Sequence, residues 1–127
     1  MSDVWRYVIG AVIIAHGIGH AGGPWFFQGS WLTDVLASGF LRWIFVALWL
    51  LAGLGFVAAG LGILGVLVPV ELWRMLSIVS AALSLAVAVL FLGGGMNQPL
   101  FNALAMDAII LVALLIFGWP PQRLIGA

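Results

Sequence analysis

The sequence contains no cysteine and no lysine, and charged residues make up only 6% of its 127 positions. The absence of cysteine excludes disulfides, thiolate-bound iron–sulfur clusters and thiol redox chemistry. Four arginines balance four acidic residues, so the chain has no basic surface for nucleic acid, and no nucleic-acid partner is expected. So few charges cannot cover the surface of a soluble protein of this length. The expected partner is therefore the lipid bilayer.

The sequence is instead rich in apolar residues, which make up 65% of the chain. Uncharged stretches cover positions 7–33, 43–70 and 75–106. Each is longer than the roughly 20 residues that a helix needs to cross the hydrocarbon core. The next uncharged stretch, 108–122, is short for a span. It reaches full length only if the helix begins earlier and contains Asp107, which would place a carboxyl group inside the membrane.

This pattern predicts an all-α integral membrane protein, a bundle of four transmembrane helices that forms a single domain over residues 1–127. Glycine and proline define the ends of the helices, with Pro24 after the first, Pro69 between the second and third, and Pro99 in the first turn of the fourth. The predicted helices cover about 4–22, 40–67, 70–92 and 99–119, and an amphipathic segment at about 30–37 is expected to lie at the membrane interface.

The arginines predict the orientation, because cytoplasmic loops retain positive charge. With four spans, Arg6, Arg74 and Arg123 lie on one side of the membrane and only Arg42 lies on the other. We therefore expect both termini in the cytoplasm of a multi-pass cell-membrane protein, in a bacterial or archaeal inner membrane.

Small residues predict how the helices pack, because lipid provides no hydrophobic force that pairs helices and close backbone contact must do so. Gly53 and Gly60 recur seven residues apart in the second helix, and Ser77, Ser80 and Ser84 form a stripe on the third. We expect these two helices to form a tight hairpin. The alternative is that the small-residue face supports a homo-oligomer or contact with a larger membrane complex.

Three ionisable side chains fall deep within the predicted spans. His16 and His20 are four residues apart in the first helix, so both imidazoles project from one face. Imidazoles are costly to bury in lipid without polar partners. At 1.5 Å per residue, His16 is about 9 Å and Asp107 about 12 Å below the far membrane surface. If the first and last helices are neighbours, these depths predict one cluster of His16, His20 and Asp107.

Two interpretations of this cluster are open. In the first, one histidine bonds to Asp107 and the other lies near the headgroups, which satisfies the polar groups without a ligand. In the second, the two imidazoles and the carboxylate bind one transition-metal ion. A methionine near the cluster would favour copper(I). The residues expected to line a pocket at this end of the bundle are Trp25, Met96, Asn97 and Met106.

The stretch His16-Gly17-Ile18-Gly19-His20-Ala21-Gly22 resembles the HGxxH-x-G stretch near the start of small bacterial four-helix membrane proteins of the DoxX-like family. The resemblance implies a four-helix bundle in which both histidines face the interior. It also implies an association with redox complexes or quinone chemistry. No further signature of the family occurs in the second to fourth helices.

Three functions are compatible with these observations. We favour a non-catalytic integral membrane protein, acting as an accessory subunit of a membrane complex. The first alternative is a metal- or quinone-dependent redox component built on His16 and His20. The second is a small proton-coupled transporter that works as a dimer and depends on Asp107.

Overall fold

The computed structural model describes residues 2–26, 39–91 and 98–126 of the chain. Over these ranges the protein is helical and contains no strand. Its principal helices are α1 (Ser2–Phe26), α2 (Gly39–Leu64), α3 (Trp73–Phe91) and α4 (Gln98–Leu111). The shorter elements are a 3-10 turn before α3 (Val70–Leu72), a π-helical turn after α4 (Val112–Ile116) and a final helix, α5 (Gln122–Ile125). The expectation of an all-α protein is confirmed.

Three of the helical stretches are long and apolar enough to cross a membrane: Asp3–Gly22, Gly39–Leu64 and Val70–Leu90. A fourth apolar stretch, Phe101–Ile116, is shorter. The prediction of several apolar helices of membrane length is therefore confirmed. The predicted interfacial segment at 30–37 lies outside the residues that the structure describes.

The ends of the first and second helices differ from the prediction. The first helix continues past 22 to Phe26, because the fixed φ of Pro24 is itself helical and the missing N–H removes only one hydrogen bond. The second helix ends at Leu64 rather than 67, because Gly65 adopts a left-handed φ of 73°. The amide of Gly65 donates to the Gly62 carbonyl at 3.0 Å, and the amide of Val66 donates to the Leu61 carbonyl at 2.9 Å. These two bonds form a Schellman cap, which satisfies the last carbonyls of the helix.

The fourth helix also ends earlier and less regularly than predicted. Its α-helical part stops at Leu111, and the π-helical turn carries the chain to Ile116 rather than to 119. In this turn the amide of Phe117 donates to the carbonyl of Val112, five residues earlier, at 3.2 Å. Gly118 then takes a φ of 60° and ends the helix.

Glycines bring α1 and α2 into direct backbone contact. A Cβ atom added to Gly17 would lie 2.6 Å from the carbonyl oxygen of Gly53, and one added to Gly60 would lie 2.8 Å from the carbonyl oxygen of Gly10. Only glycine allows so close an approach. The seven-residue repeat of Gly53 and Gly60 therefore faces α1 and not α3, which was the predicted partner.

The hairpin of α2 and α3 is present, but it is formed by a different face of α2. A Cβ atom added to Gly62 would lie 3.5 Å from the Cβ of Trp73, and a side chain at Gly55 would clash with the Ser80 hydroxyl. Helix α4 packs in turn against α3. Helices that are consecutive in the sequence therefore pack against each other, as is usual when the connections between helices are short.

Aromatic side chains of α2 point into the interior of the bundle. Phe45, Trp49 and Phe56 are fully buried, and Phe45 stacks on Trp49 with ring centroids 5.7 Å apart. On the outer face of the same helix Leu54 is 66% exposed. An apolar exterior over helices of this length is what a lipid environment requires.

At the end of the bundle where α2 terminates, two arginines bind backbone carbonyls. Nε of Arg6 donates to the Ile63 carbonyl at 2.5 Å, in the last turn of α2. The guanidinium of Arg74 donates to the Leu114 carbonyl in the π-helical turn. Both cations lie at the negative end of a helix dipole, where a positive charge is stabilising.

Candidate metal centre

The three polar side chains predicted to cluster come together between α1, α3 and α4. His16 and His20 lie one turn apart on α1 and project into the bundle, and Asp107 reaches them from α4. The close contact of α1 and α2 makes room for His20. A Cβ atom added to Gly53 would lie 2.7 Å from the Cβ of His20. The glycine contact between α1 and α2 therefore also determines where an imidazole lies.

Asp107 is the centre of the cluster. Its Oδ1 lies 2.7 Å from Nε2 of His16, across 91 positions of sequence. Its Oδ2 accepts a hydrogen bond from the hydroxyl of Ser84 on α3 at 2.5 Å. Nε2 of His20 lies 3.8 Å from the same Oδ1, which is too far for a hydrogen bond. The carboxylate therefore joins three helices and has the second imidazole close to it.

His20 is deeply buried and has unsatisfied ring nitrogens. The residue is 2% exposed, and neither Nδ1 nor Nε2 has a hydrogen-bond partner among the described residues. Buried polar atoms are nearly always paired, so the ring nitrogens of His20 are available to bind a further group. His20 is thus part of the buried cluster, beside Asp107, which is 0% exposed.

Aromatic rings from α2 hold both imidazoles. The ring of His20 stacks on Trp49 with centroids 4.4 Å apart and an interplanar angle of 29°. The edge of His16 meets Phe56 at 4.7 Å. These contacts restrict rotation of the two histidine rings, so their nitrogens are held in place before any ligand binds.

The geometry suits a metal ion. One ligand atom from each of His16, His20 and Asp107 lies within 4.8 Å of the other two. Ligand atoms about 2.0–2.1 Å from a tetrahedral ion are roughly 3.3 Å apart. The two distances to Oδ1, 2.7 Å and 3.8 Å, lie on either side of that value. Small side-chain movements would therefore place the three donors around one ion.

Of the other predicted pocket residues, the structure describes the side chain of Met106 alone. Met96 and Asn97 lie outside the described residues, and Trp25 is in the last turn of α1 with a side chain that is likewise not described. Met106 lines an apolar groove of about 210 Å³ beside α1 and α4 and packs against the apolar core. The copper(I) ligand set suggested by the methionines therefore gains no support from Met106.

Sequence reasoning did not assign three neighbours of the cluster, namely Ser84, Trp49 and Phe56. Ser84 was recognised only as a small residue of a packing stripe, although a buried hydroxyl near an intramembrane carboxylate is a natural hydrogen-bond donor. The available signal for Trp49 was its position far from either predicted membrane interface. Nothing in the sequence indicated that Phe56 faces the cluster, because α2 is apolar on every face.

Comparison of the chain with known protein families, with curated proteins and with solved structures finds no match. Its function must therefore be inferred from the chemistry of the site.

Proposed function

We propose that this is a multi-pass membrane protein that binds a first-row transition-metal ion inside its helical bundle through His16, His20 and Asp107. The observation that carries the proposal is the state of His20. Its two ring nitrogens are buried and have no hydrogen-bond partner among residues 2–26, 39–91 and 98–126, and Nε2 lies 3.8 Å from a carboxylate oxygen that already contacts His16. A metal ion between these groups would give Nε2 the partner that it lacks.

The donor set indicates the class of metal. Two imidazole nitrogens and one carboxylate oxygen suit Zn²⁺, Fe²⁺, Co²⁺ or Cu²⁺, whereas Mg²⁺ and Ca²⁺ prefer oxygen ligands alone. Copper(I) favours thiolate and thioether sulfur, and the chain contains no cysteine. We therefore expect a divalent first-row ion.

We infer the membrane arrangement from the sequence pattern. With α4 as a fourth span, Arg6, Arg74 and Arg123 lie on one side, which supports a four-helix bundle with both termini in the cytoplasm. The histidine motif that resembles the DoxX-like family supports a bacterial or archaeal inner membrane. On this orientation the metal centre lies nearer the outer surface of the membrane.

A second candidate is the non-catalytic accessory subunit. The hydrogen bonds of Asp107 with His16 and Ser84 favour it, because they join α1, α3 and α4 without an ion. In that case the cluster contributes to stability and assembly alone. The purified protein would contain no metal, and the effect of His16→Ala would be limited to a lower thermal stability.

The two candidates are separated by metal analysis of detergent-purified protein supplied with Zn²⁺ or Co²⁺. His20→Phe keeps a ring that can stack on Trp49 but removes both nitrogens. Ser77→Ala is a matched control, since Ser77 is a buried serine of α3 whose hydroxyl bonds to the Trp73 carbonyl. We expect stoichiometric metal in the wild type and in Ser77→Ala, and more than about a 100-fold loss of affinity in His20→Phe. A wild-type protein that binds no metal, or a His20→Phe variant that binds it equally well, would refute the metal function.

A further inference from the structure

On the basis of the metal function proposed above, we propose that the metal centre has one open coordination position that takes a small monovalent anion. Ser84 is the positioning residue that keeps this position open. The proposal follows from the number of donor atoms, from the hydrogen bond of Ser84 and from the charge of the site.

The described residues provide three donor atoms. The only group of potential ligands among them is His16, His20 and Asp107, and each offers one atom. Zn²⁺ and Co²⁺ in such sites take four ligands. Structural zinc sites use four protein ligands, whereas reactive zinc sites use three protein ligands and one exchangeable ligand. The described part of the chain therefore leaves one position for an external ligand.

Ser84 prevents the carboxylate from filling that position itself. Its hydroxyl donates to Oδ2 of Asp107 at 2.5 Å, while Oδ1 faces the imidazoles at 2.7 Å and 3.8 Å. With Oδ2 engaged by the hydroxyl, Asp107 binds through one oxygen only. Ser84 is fully buried on α3, so this hydrogen bond is shielded from bulk water.

The charge of the site indicates which external ligand completes it. A divalent ion bound by two neutral imidazoles and one carboxylate retains one positive charge, which is costly inside an apolar bundle. Among the described acidic residues, Asp3 and Glu71 are exposed, and Asp3 is 13 residues from His16 on the same helix, about 20 Å away. Neither belongs to the donor set, so no second carboxylate of the described residues neutralises the site. A monovalent anion such as hydroxide, halide or azide does so and also provides the fourth donor atom.

The test uses the full-length protein loaded with Co²⁺, whose visible absorption reports coordination, titrated with sodium azide. We expect a saturable change in the Co²⁺ spectrum with no loss of bound metal. Ser84→Ala releases Oδ2, so that Asp107 can bind through both oxygens and close the open position. We expect this variant to retain Co²⁺ and to bind azide at least about ten-fold more weakly. Ser84→Thr, which keeps the hydroxyl, should restore the wild-type response, and Ser77→Ala should match the wild type.

The possible failures are distinct. If the protein does not bind Co²⁺ at all, the metal function itself is refuted before azide is added. If Co²⁺ binds stoichiometrically but its absorption spectrum does not change when azide is added, the fourth ligand comes from the protein. This result would refute the open position but not the metal function. If Ser84→Ala binds azide as the wild type does, Ser84 is not the residue that keeps the position open.

Discussion

Replacing Gly53 with alanine should both loosen the packing of α1 on α2 and displace His20 from the metal centre. The added Cβ would lie 2.7 Å from the Cβ of His20 and 2.9 Å from the carbonyl oxygen of Gly17. Carbon atoms pack at about 3.5–4.0 Å, so α1 must move away by roughly 1 Å. The obstructing atoms cannot rotate aside, because one belongs to the backbone and the other is a Cβ.

The magnitude follows from two opposing effects. Adding a methyl group to a well-packed site costs about 1–3 kcal/mol, and a backbone obstacle places the cost at the upper end of this range. Alanine recovers about 1 kcal/mol of helix propensity relative to glycine. The free energy of unfolding should therefore fall by about 2 kcal/mol. The affinity for Co²⁺ should fall as well, because the Nε2 of His20 moves with α1.

The assay is denaturant or thermal unfolding in detergent, together with Co²⁺ titration of the folded protein. Gly19→Ala is the matched control, since Gly19 lies next to His20 on α1 and a Cβ added there meets no atom within 4 Å. We expect Gly19→Ala to be neutral or slightly stabilising and to bind Co²⁺ normally. Equal behaviour of the two variants in both assays would refute the view that the glycine contact determines where His20 lies.

Three further predictions concern the charged groups and the metal. Asp107→Asn removes the carboxylate from the proposed donor set, so isothermal titration should show Zn²⁺ affinity reduced by more than about 100-fold, and undiminished binding would exclude the carboxylate as a ligand. Arg74→Met leaves the Leu114 carbonyl without its donor and should lower the free energy of unfolding by about 1–2 kcal/mol, whereas Arg123→Met, at an exposed position, should not. Zn²⁺ at about 100 times its Kd should stabilise the wild type by about 2.7 kcal/mol and a chelator should abolish the gain, with no such response in His20→Phe. A response of His20→Phe equal to that of the wild type would place the ion elsewhere.

The sequence was sufficient to predict the apolar helices and the meeting of His16, His20 and Asp107. Both predictions depend on quantities that a sequence carries directly, namely the length of apolar stretches and the depth of a residue at 1.5 Å per residue. The cluster was predictable because so few polar residues occur within the spans. Whether it binds an ion was not predictable, since that depends on angstrom-scale positions such as the 3.8 Å from His20 to Asp107.

The faces of the helices were harder to predict, for a reason specific to membranes. In a soluble protein the apolar face of a helix marks the core, but here both faces are apolar. Leu54 is 66% exposed and Phe56 is fully buried, yet nothing in their chemistry distinguishes inside from outside. For the same reason Gly53 and Gly60 were assigned to α3 instead of α1. The π-helical turn after α4 was not predictable, because no single residue type specifies it.

The separation of the ligands along the chain affects how the protein is made. His16 and Asp107 are 91 positions apart, on the first and last long helices. While the chain is being synthesised and inserted, both imidazoles enter the bilayer well before the acidic group that will accompany them. The donor set of the proposed metal site is therefore complete only when α4 has joined α1, and a nascent chain halted after α3 still lacks Asp107.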